Sequence, residues 1–402
     1  MPAKTGGPEQ ETVSALTVFS VFLGLGLTSF GGPVAHLGYF RRELVERRRW
    51  LTEAAYAELV ALCQFLPGPA SSQTGFAIGL RMAGVPGALA AFIGFTLPSA
   101  LLMLAAAYSL ALASHTWFGP IVHGLKLVAV SVVAHAVVTM ARTHCRSLAR
   151  ATLAILALII LLLSPHPLAT PAIILIAGLT GLIIAPRTTA PAPAAPSSSG
   201  LRTPLIVIGI FAALLIGLPL LRQFAPTPLI AAADSFYRAG ALVFGGGHVV
   251  LPLLQSETAQ TISPETFLAG YGAAQALPGP LFSFAAYLGA LLNGASPNLI
   301  IAAIALVMIF LPGFLLVAAA LPLWSRFSRH SRATGFVLAV NAAVVGVLAA
   351  ALWRPVITSA ISAPIDAAIA AAGFLALLHP RTPVIAVVAA VTLAGAITTG
   401  IG

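Results

Sequence analysis

Two segments apolar enough to enter a bilayer each carry Pro-Gly-Pro in their interior: QFLPGPASSQTGF at residues 64–76 and QALPGPLFSF at residues 275–284. Proline has no backbone N–H to donate and clashes with the helical turn before it, so Pro67, Pro69, Pro278 and Pro280 each stop a helix. Gly68 and Gly279 between them permit backbone shapes that a side chain would forbid. Non-helical backbone at membrane depth survives only where protein or a water-filled cavity satisfies its polar groups. A chain with two such breaks has to fold around an interior that bonds them, which excludes a plain bundle of straight spans.

Composition supports the membrane setting. Of 402 residues, 59% are hydrophobic and only 7% charged, with mean hydropathy +1.01; soluble proteins carry about 25% charged residues. Apolar stretches near the roughly 20 residues needed to span recur along almost the whole chain. The expected fold class is an all-α polytopic membrane protein with no separate soluble domain. The net charge of +10 comes from arginines in short loops, where they set membrane orientation, so nucleic acid is not an expected partner. Residues 1–12 are polar and lack the basic-then-apolar pattern of a cleavable signal. Cys63 and Cys145 form neither a disulfide framework nor a metal-ligand spacing, and no metal or cofactor is expected. Cys63 beside Gln64 reads as a reactive thiol or as a packed one.

The chain is written twice. SFGGPVAHL from Ser29 corresponds to VFGGGHVVL from Val243, 214 positions on, and the same register pairs Glu43 with Glu257. LTEAAY pairs with ISPETF at an offset of 211, which also sets Gln64, Pro67, Gly68, Pro69 and Ser72 on Gln275, Pro278, Gly279, Pro280 and Ser283. TLPSALL from Thr96 matches FLPGFLL from Phe310, and LLSP ending at Pro165 pairs with LLHP ending at Pro380. Residues 1–185 thus form a first repeat and 223–402 a second. A Pro/Ala/Ser-rich linker at 186–204 and one unmatched apolar helix at 205–222 lie between them.

An odd number of connecting spans turns the second copy upside down, and the charges agree. FRRELVERRRW follows the first glycine motif, whereas QSETAQTISPE follows the second without a basic residue. SHTWFGP lacks Lys and Arg, whereas its counterpart SRFSRHSR holds Arg326, Arg329 and Arg332. Basic loops favour the cytoplasmic side. Two inverted repeats with re-entrant helices are therefore expected, the construction of secondary transporters with a site near mid-membrane. Re-entrant breaks give nine membrane segments, and complete crossings by some half-helices raise the number to between ten and thirteen.

Each break starts a new half-helix, whose N-terminus offers free N–H groups and about half a positive charge. Such ends bind oxyanions. The candidate substrate-binding residues are Ser29, Phe30, Gly31, Gly32, Gln64, Pro67, Gly68, Pro69, Ser71 and Ser72 in the first repeat. In the second they are Phe244, Gly245, Gly246, Gly247, Gln275, Pro278, Gly279, Pro280 and Ser283. Gln73 adds an amide donor. The competing reading is a packed Pro-Gly-Pro kink, which two breaks in each of two copies weigh against. Arg81 either guides an anion or caps a helix end, and Arg41 and Arg42 either attract anions or anchor the loop. Lys126, in an apolar segment, has the reach to snorkel. His36 and His248, beside the glycine motifs, read as proton carriers or as packing residues. Glu58, leading to Gln64, reads as a proton-coupling carboxylate or as a vestibule residue. Asp234 and Arg238, one turn apart, suit an ion pair. No nucleotide-binding loop, zinc motif or nucleophile elbow is present, so an enzyme is not expected.

The stretches SFGGPVAHLGYFRRELVERRRWL, CQFLPGPASSQTGFAIG, FGGGHVVLPLL and AAQALPGP resemble the chromate ion transporter family, in its long form with two homologous halves. The resemblance covers nearly the whole chain. It implies export of chromate across the bacterial inner membrane, sulfate as a structural mimic, and chromate resistance. The family's motif residues fall on Phe30, Gly31, Gly32, Pro33, His36, Gln64, Pro67, Gly68 and Pro69, and on 244–247, Gln275 and 278–280. The residues by themselves leave open a transporter of sulfate or another oxyanion, import included, or a passive anion channel. A homodimer is compatible with such a chain.

Overall fold

The computed structural model describes residues 13–112, 118–164, 166, 169–184, 201–244, 247–294, 296–324, 331–379 and 381–400. Residues 1–12, most of the linker, Pro165, Gly245, Gly246, Arg326, Arg329 and Pro380 lie outside them. The first repeat comprises α1 (Ala15–Thr28), α2 (Gly32–Phe40, continued by a wider turn over Arg41–Arg47), α3 (Glu53–Phe65), α4 (Ala70–Leu112), α5 (Phe118–His144), α6 (Leu148–Leu163) and α7 (Ala169–Ile184). The unmatched helix is α8 (Arg202–Phe224). The second repeat comprises α9 (Pro228–Leu242), α10 (Val250–Thr258), α11 (Pro264–Ala276), α12 (Phe284–Leu291), α13 (Leu299–Ala320), α14 (Ser331–Ala351), α15 (Pro364–Leu378) and α16 (Val384–Gly400). The described residues contain no strand.

Local chemistry sets the ends twice over. Thr52 caps α3 by accepting from the Ala55 N–H, and its counterpart Ser263 caps α11 from the Thr266 N–H. Ser14 and Thr227 do the same for α1 and α9. Each cap satisfies one of the N–H groups that a helix start leaves unbonded. The long α4 itself turns at Ala83 and Gly84, where φ is +63° at the glycine, and so matches the separate α12 and α13.

Among the described residues five helices are long and apolar enough to span: residues Ala70–Leu110, Gly119–His144, Arg202–Phe224, Leu299–Leu323 and Thr334–Ala360. Six shorter apolar helices, including α1, α6, α7, α15 and α16, fall below the roughly 20 residues that a crossing needs. Leu205, Ile206 and Ile216 on α8 are more than 60% exposed. Aliphatic surface on this scale belongs against lipid, so the chain is a multi-pass membrane protein.

The two copies interlock. Helix α5 packs on α15 and α16 of the other repeat, and its counterpart α14 packs on α6 and α7. Small residues allow this close approach, as in membrane helix pairs generally. A β-carbon at Gly124 would run into the Thr392 backbone, and one at Gly346 into the Ala154 carbonyl. Between α4 and α13 the Phe76 ring lies flat on Phe314, with centroids 4.4 Å apart. Gly346→Leu is accordingly expected to lower the melting temperature of the detergent-solubilised protein, overpacking in a tight contact costing about 1–3 kcal/mol. The same change at Gly209, which has nothing near it, is expected to have little effect.

Candidate functional site

The helix breaks of one repeat are bonded by the other. The Gly68 N–H donates to the Val243 carbonyl at 2.7 Å, and the Gly279 N–H donates to the Ser29 carbonyl at 2.9 Å. Ser29 and Val243 are equivalent residues ahead of the glycine motifs, as are Gly68 and Gly279 at the centres of the Pro-Gly-Pro breaks. The exchange has the self-complementary form of a two-fold contact. Both glycines have positive φ, +121° and +95°, a region closed to most side chains. A β-carbon at Gly279 would also meet Ser99 Oγ at 2.9 Å, and one at Gly68 the Gln73 amide at 2.8 Å.

Around this junction lies a cavity of about 370 Å³. Gly31, Gly32, Gly247, His248, Gln275 and Gly279, all expected from the motifs, line it, together with His135 and Thr139 from α5. His248 Nδ1 lies 2.8 Å from the Tyr271 hydroxyl. His135 Nε2 lies 3.5 Å from Thr139 Oγ1. The Gln275 amide lies at the wall beside the Tyr271 hydroxyl. Leu281, Leu377 and Val384 complete an otherwise apolar lining. The combination of glycine backbone, apolar wall and a few polar groups suits a small ligand.

The other expected residues are distributed differently. Ser29, Ser71, Ser72, Pro69, Pro278, Pro280 and Ser283 are buried behind or beside the cavity, with Phe30 and Pro67 half-buried. Phe244 packs against Phe336 of α14, ring centroids 6.3 Å apart. His36 is buried, its Nδ1 lying 3.4 Å from Ser71 Oγ. Gln64 is exposed on α3, so it does not share the setting of its counterpart Gln275. Glu58 also faces outward from α3. The amide of Gln73 is not a free donor: its Nε2 bonds the carbonyls of Pro67 at 2.8 Å and Gly313 at 3.1 Å. It braces the first break against α13 instead.

Charge at the mouth is also partly committed. Arg41 pairs with Glu46 and Glu53, each at 2.7 Å, so it is not free to guide an anion. Arg42 and Arg81 are exposed, and among the described residues neither makes an ion pair. Asp234 and Arg238 do pair, and Arg222 and Glu257 join them. Lys126 bonds the Ser359 carbonyl at 3.0 Å. Burial alone would raise the Glu43 pKa, but hydrogen bonds from Arg48 and Arg47 outweigh it and hold the carboxyl below its usual range.

Sequence reasoning missed His135, Thr139 and a buried contact between His123 and Asp366 at 2.8 Å. All three lie in apolar helices without a motif, and only the packing of α5 on the second repeat brings them to the interior.

Broken helices bonded across two interlocked copies around a cavity, inside a lipid-facing surface, define a duplicated multi-pass membrane protein. The chain belongs to the chromate transporter family, whose model matches residues 16–182 and again residues 230–396, regions that begin 214 positions apart. It is 28% identical over 343 residues to a probable chromate transport protein of Synechococcus elongatus, covering 82% of both chains. It is 27% identical over 348 residues to the chromate transport protein of Cupriavidus metallidurans, covering 82% of this chain and 80% of that one. An uncharacterized transporter of Methanocaldococcus jannaschii is 24% identical over 351 residues, 85% and 84% of the two chains. No solved structure matches.

Two outcomes are expected from this geometry. Gln73→Leu takes the side-chain donor from the buried Gly313 carbonyl and the half-buried Pro67 carbonyl and should destabilise the protein by about 1–3 kcal/mol, read as a lower melting temperature. A depressed carboxyl pKa supports the fold above the unfolded value, about 4.3, and that support is lost as the pH falls through the folded one. Glu43→Gln should therefore lower the melting temperature at neutral pH, with the gap to wild type closing as the pH drops below 4.

Proposed function

We propose that this protein is a secondary transporter that exports chromate across the bacterial inner membrane by alternating access between two inverted repeats. What carries this reading is a pair of cavities in equivalent positions. The first, between α5 and the last two helices of the second repeat, has Ala136, Leu377 and Val384 in its wall. The second, about 330 Å³, lies between α14 and the last two helices of the first repeat, with Ala350, Leu162 and Thr170 in its wall. Ala136 and Ala350 are 214 positions apart, the offset of the repeat. The loop charges turn the two copies in opposite directions, so on this reading the cavities serve opposite faces of the membrane.

Chemistry supports an anion. Half-helices α2 and α4 begin at the junction, and their free N–H groups and positive dipole ends favour oxyanions. The second cavity also holds Arg354, which is exposed and among the described residues makes no hydrogen bond or ion pair. Chromate is the substrate named for the relatives in Synechococcus and Cupriavidus. Sulfate, a tetrahedral dianion of similar size, is the expected competitor. Protons or the membrane potential drive export, with His36 and His248 as the groups able to carry protons.

Chromate uptake into sealed, energised inverted vesicles tests the reading. The expected result is protein-dependent uptake that sulfate inhibits and Gly68→Leu abolishes at equal expression. Labelled sulfate entering while chromate stays outside would overturn the substrate. Bilayer currents without countertransport would replace the carrier with a channel.

A further inference from the structure

The repeats match in backbone and differ in polarity at their centres. Ser29, His36, Ser71 and Thr96 of the first occupy the positions of Val243, Val250, Phe282 and Phe310 in the second. In the second repeat these positions make an aromatic block: the Phe282 and Phe310 centroids are 5.6 Å apart, and Phe310 stacks on Phe314 at 5.7 Å. The first repeat presents polar atoms with no partner. Ser29 Oγ, Ser72 Oγ and Thr96 Oγ1 belong to side chains no more than 3% exposed, and none has a hydrogen-bond partner in the protein, while the equally buried His36 ring lies against the Ser29 backbone. A buried unpaired polar atom is destabilising, and a native chain contains few of them. Three such hydroxyls in one repeat, with a buried imidazole beside Ser29, call for a ligand.

These groups stand directly behind the cavity wall. The Ser29 carbonyl holds the Gly279 N–H, and Gly279 lines the cavity. On its far side Gly279 abuts Ser99 and the Phe95 carbonyl. Ser99 Oγ bonds the Thr96 carbonyl at 3.0 Å, and the Phe95 ring lies edge-on to His36 at 5.3 Å. Ser72 sits in the first turn of α4, where the N–H groups have no intrahelical partner. Ser29 closes α1, His36 lies on α2, and Ser72 and Thr96 lie on α4, against which both α1 and α2 pack. From α3, the nearby Tyr56 hydroxyl is engaged with the Leu37 carbonyl at 2.6 Å, and Cys63 is buried and free.

Resting on the oxyanion-transport reading above, we propose that Ser29, His36, Ser72 and Thr96 form the occluded binding site for the tetrahedral oxyanion. The anion reaches it from the cavity when the bond between Gly279 and Ser29 opens. In the second repeat only Ser283 keeps a hydroxyl, at the position of Ser72, while Val243, Val250 and Phe310 stand where Ser29, His36 and Thr96 are; each chain therefore holds one anion.

Thr96→Val keeps the shape of the side chain and removes its hydroxyl. Binding of labelled sulfate to the purified full-length protein, melting temperature without anion, and vesicle transport are measured together. One sulfate per chain is expected for wild type. Thr96→Val and Ser29→Ala should each weaken binding about 10-fold or more, the worth of one hydrogen bond to a charged group. Thr96→Val should also raise the melting temperature of the anion-free protein, because an unpaired buried hydroxyl is gone. Thr392→Val, which removes an unpaired hydroxyl of the second repeat outside the cluster, should leave affinity unchanged. Wild-type affinity in both hydroxyl variants, or two anions per chain, would overturn the proposal. So would unchanged affinity with a shifted pH profile of transport, which would make the cluster a proton path. A wild-type protein that moves no oxyanion would instead sink the transport reading itself.

Discussion

Backbone groups freed where a membrane helix breaks have no water to turn to, and this protein bonds them across its two halves. Gly68 donates to the residue ahead of the second glycine motif, and Gly279 to the residue ahead of the first. Neither repeat can satisfy its own Pro-Gly-Pro break in this way. The rest follows from that dependence: each half needs the other, the breaks must meet at one place, and the meeting place must admit backbone rather than side chains. Glycine at both positions answers the last requirement, since φ is positive and the neighbours leave no room for a β-carbon.

The outer helices enforce the same interlocking. Because α5 lies on α15 and α16, and α14 on α6 and α7, the repeats are exchanged rather than set side by side. Small residues at these crossings bring helix backbones together without a hydrophobic driving force, which lipid does not provide. Such contacts leave little room for a side chain at any one spot, as Gly124 and Gly346 show.

Duplication has not kept the halves chemically equal. The scaffold residues remain paired, down to the caps Thr52 and Ser263, whereas the interior has diverged into hydroxyls and imidazole on one side and phenylalanine on the other. Backbone bonding constrains both copies alike, while a small ligand needs donors from only some of its surroundings. One half is then free to become a hydrophobic wall.

Much of this was legible in the chain. Proline and glycine act on their own local backbone, so the breaks and the repeat could be read from residue order, and composition fixed the membrane setting. The pairing of Asp234 with Arg238 was legible for the same reason, because one helical turn brings them together. Gln64 and Gln275 mark the limit: they are equivalent in sequence, yet one is exposed and the other lines the cavity. Gln73 seemed a free donor until folding set Gly313, 240 positions away, within its reach. Arg41 likewise gained carboxylate partners. His135 and Thr139 carry no motif and became cavity residues only when α5 crossed to the other repeat. Sequence determined where helices stop, because that is a matter of local sterics; tertiary structure decided which polar groups face one another, because burial and distance depend on helices far apart in the chain.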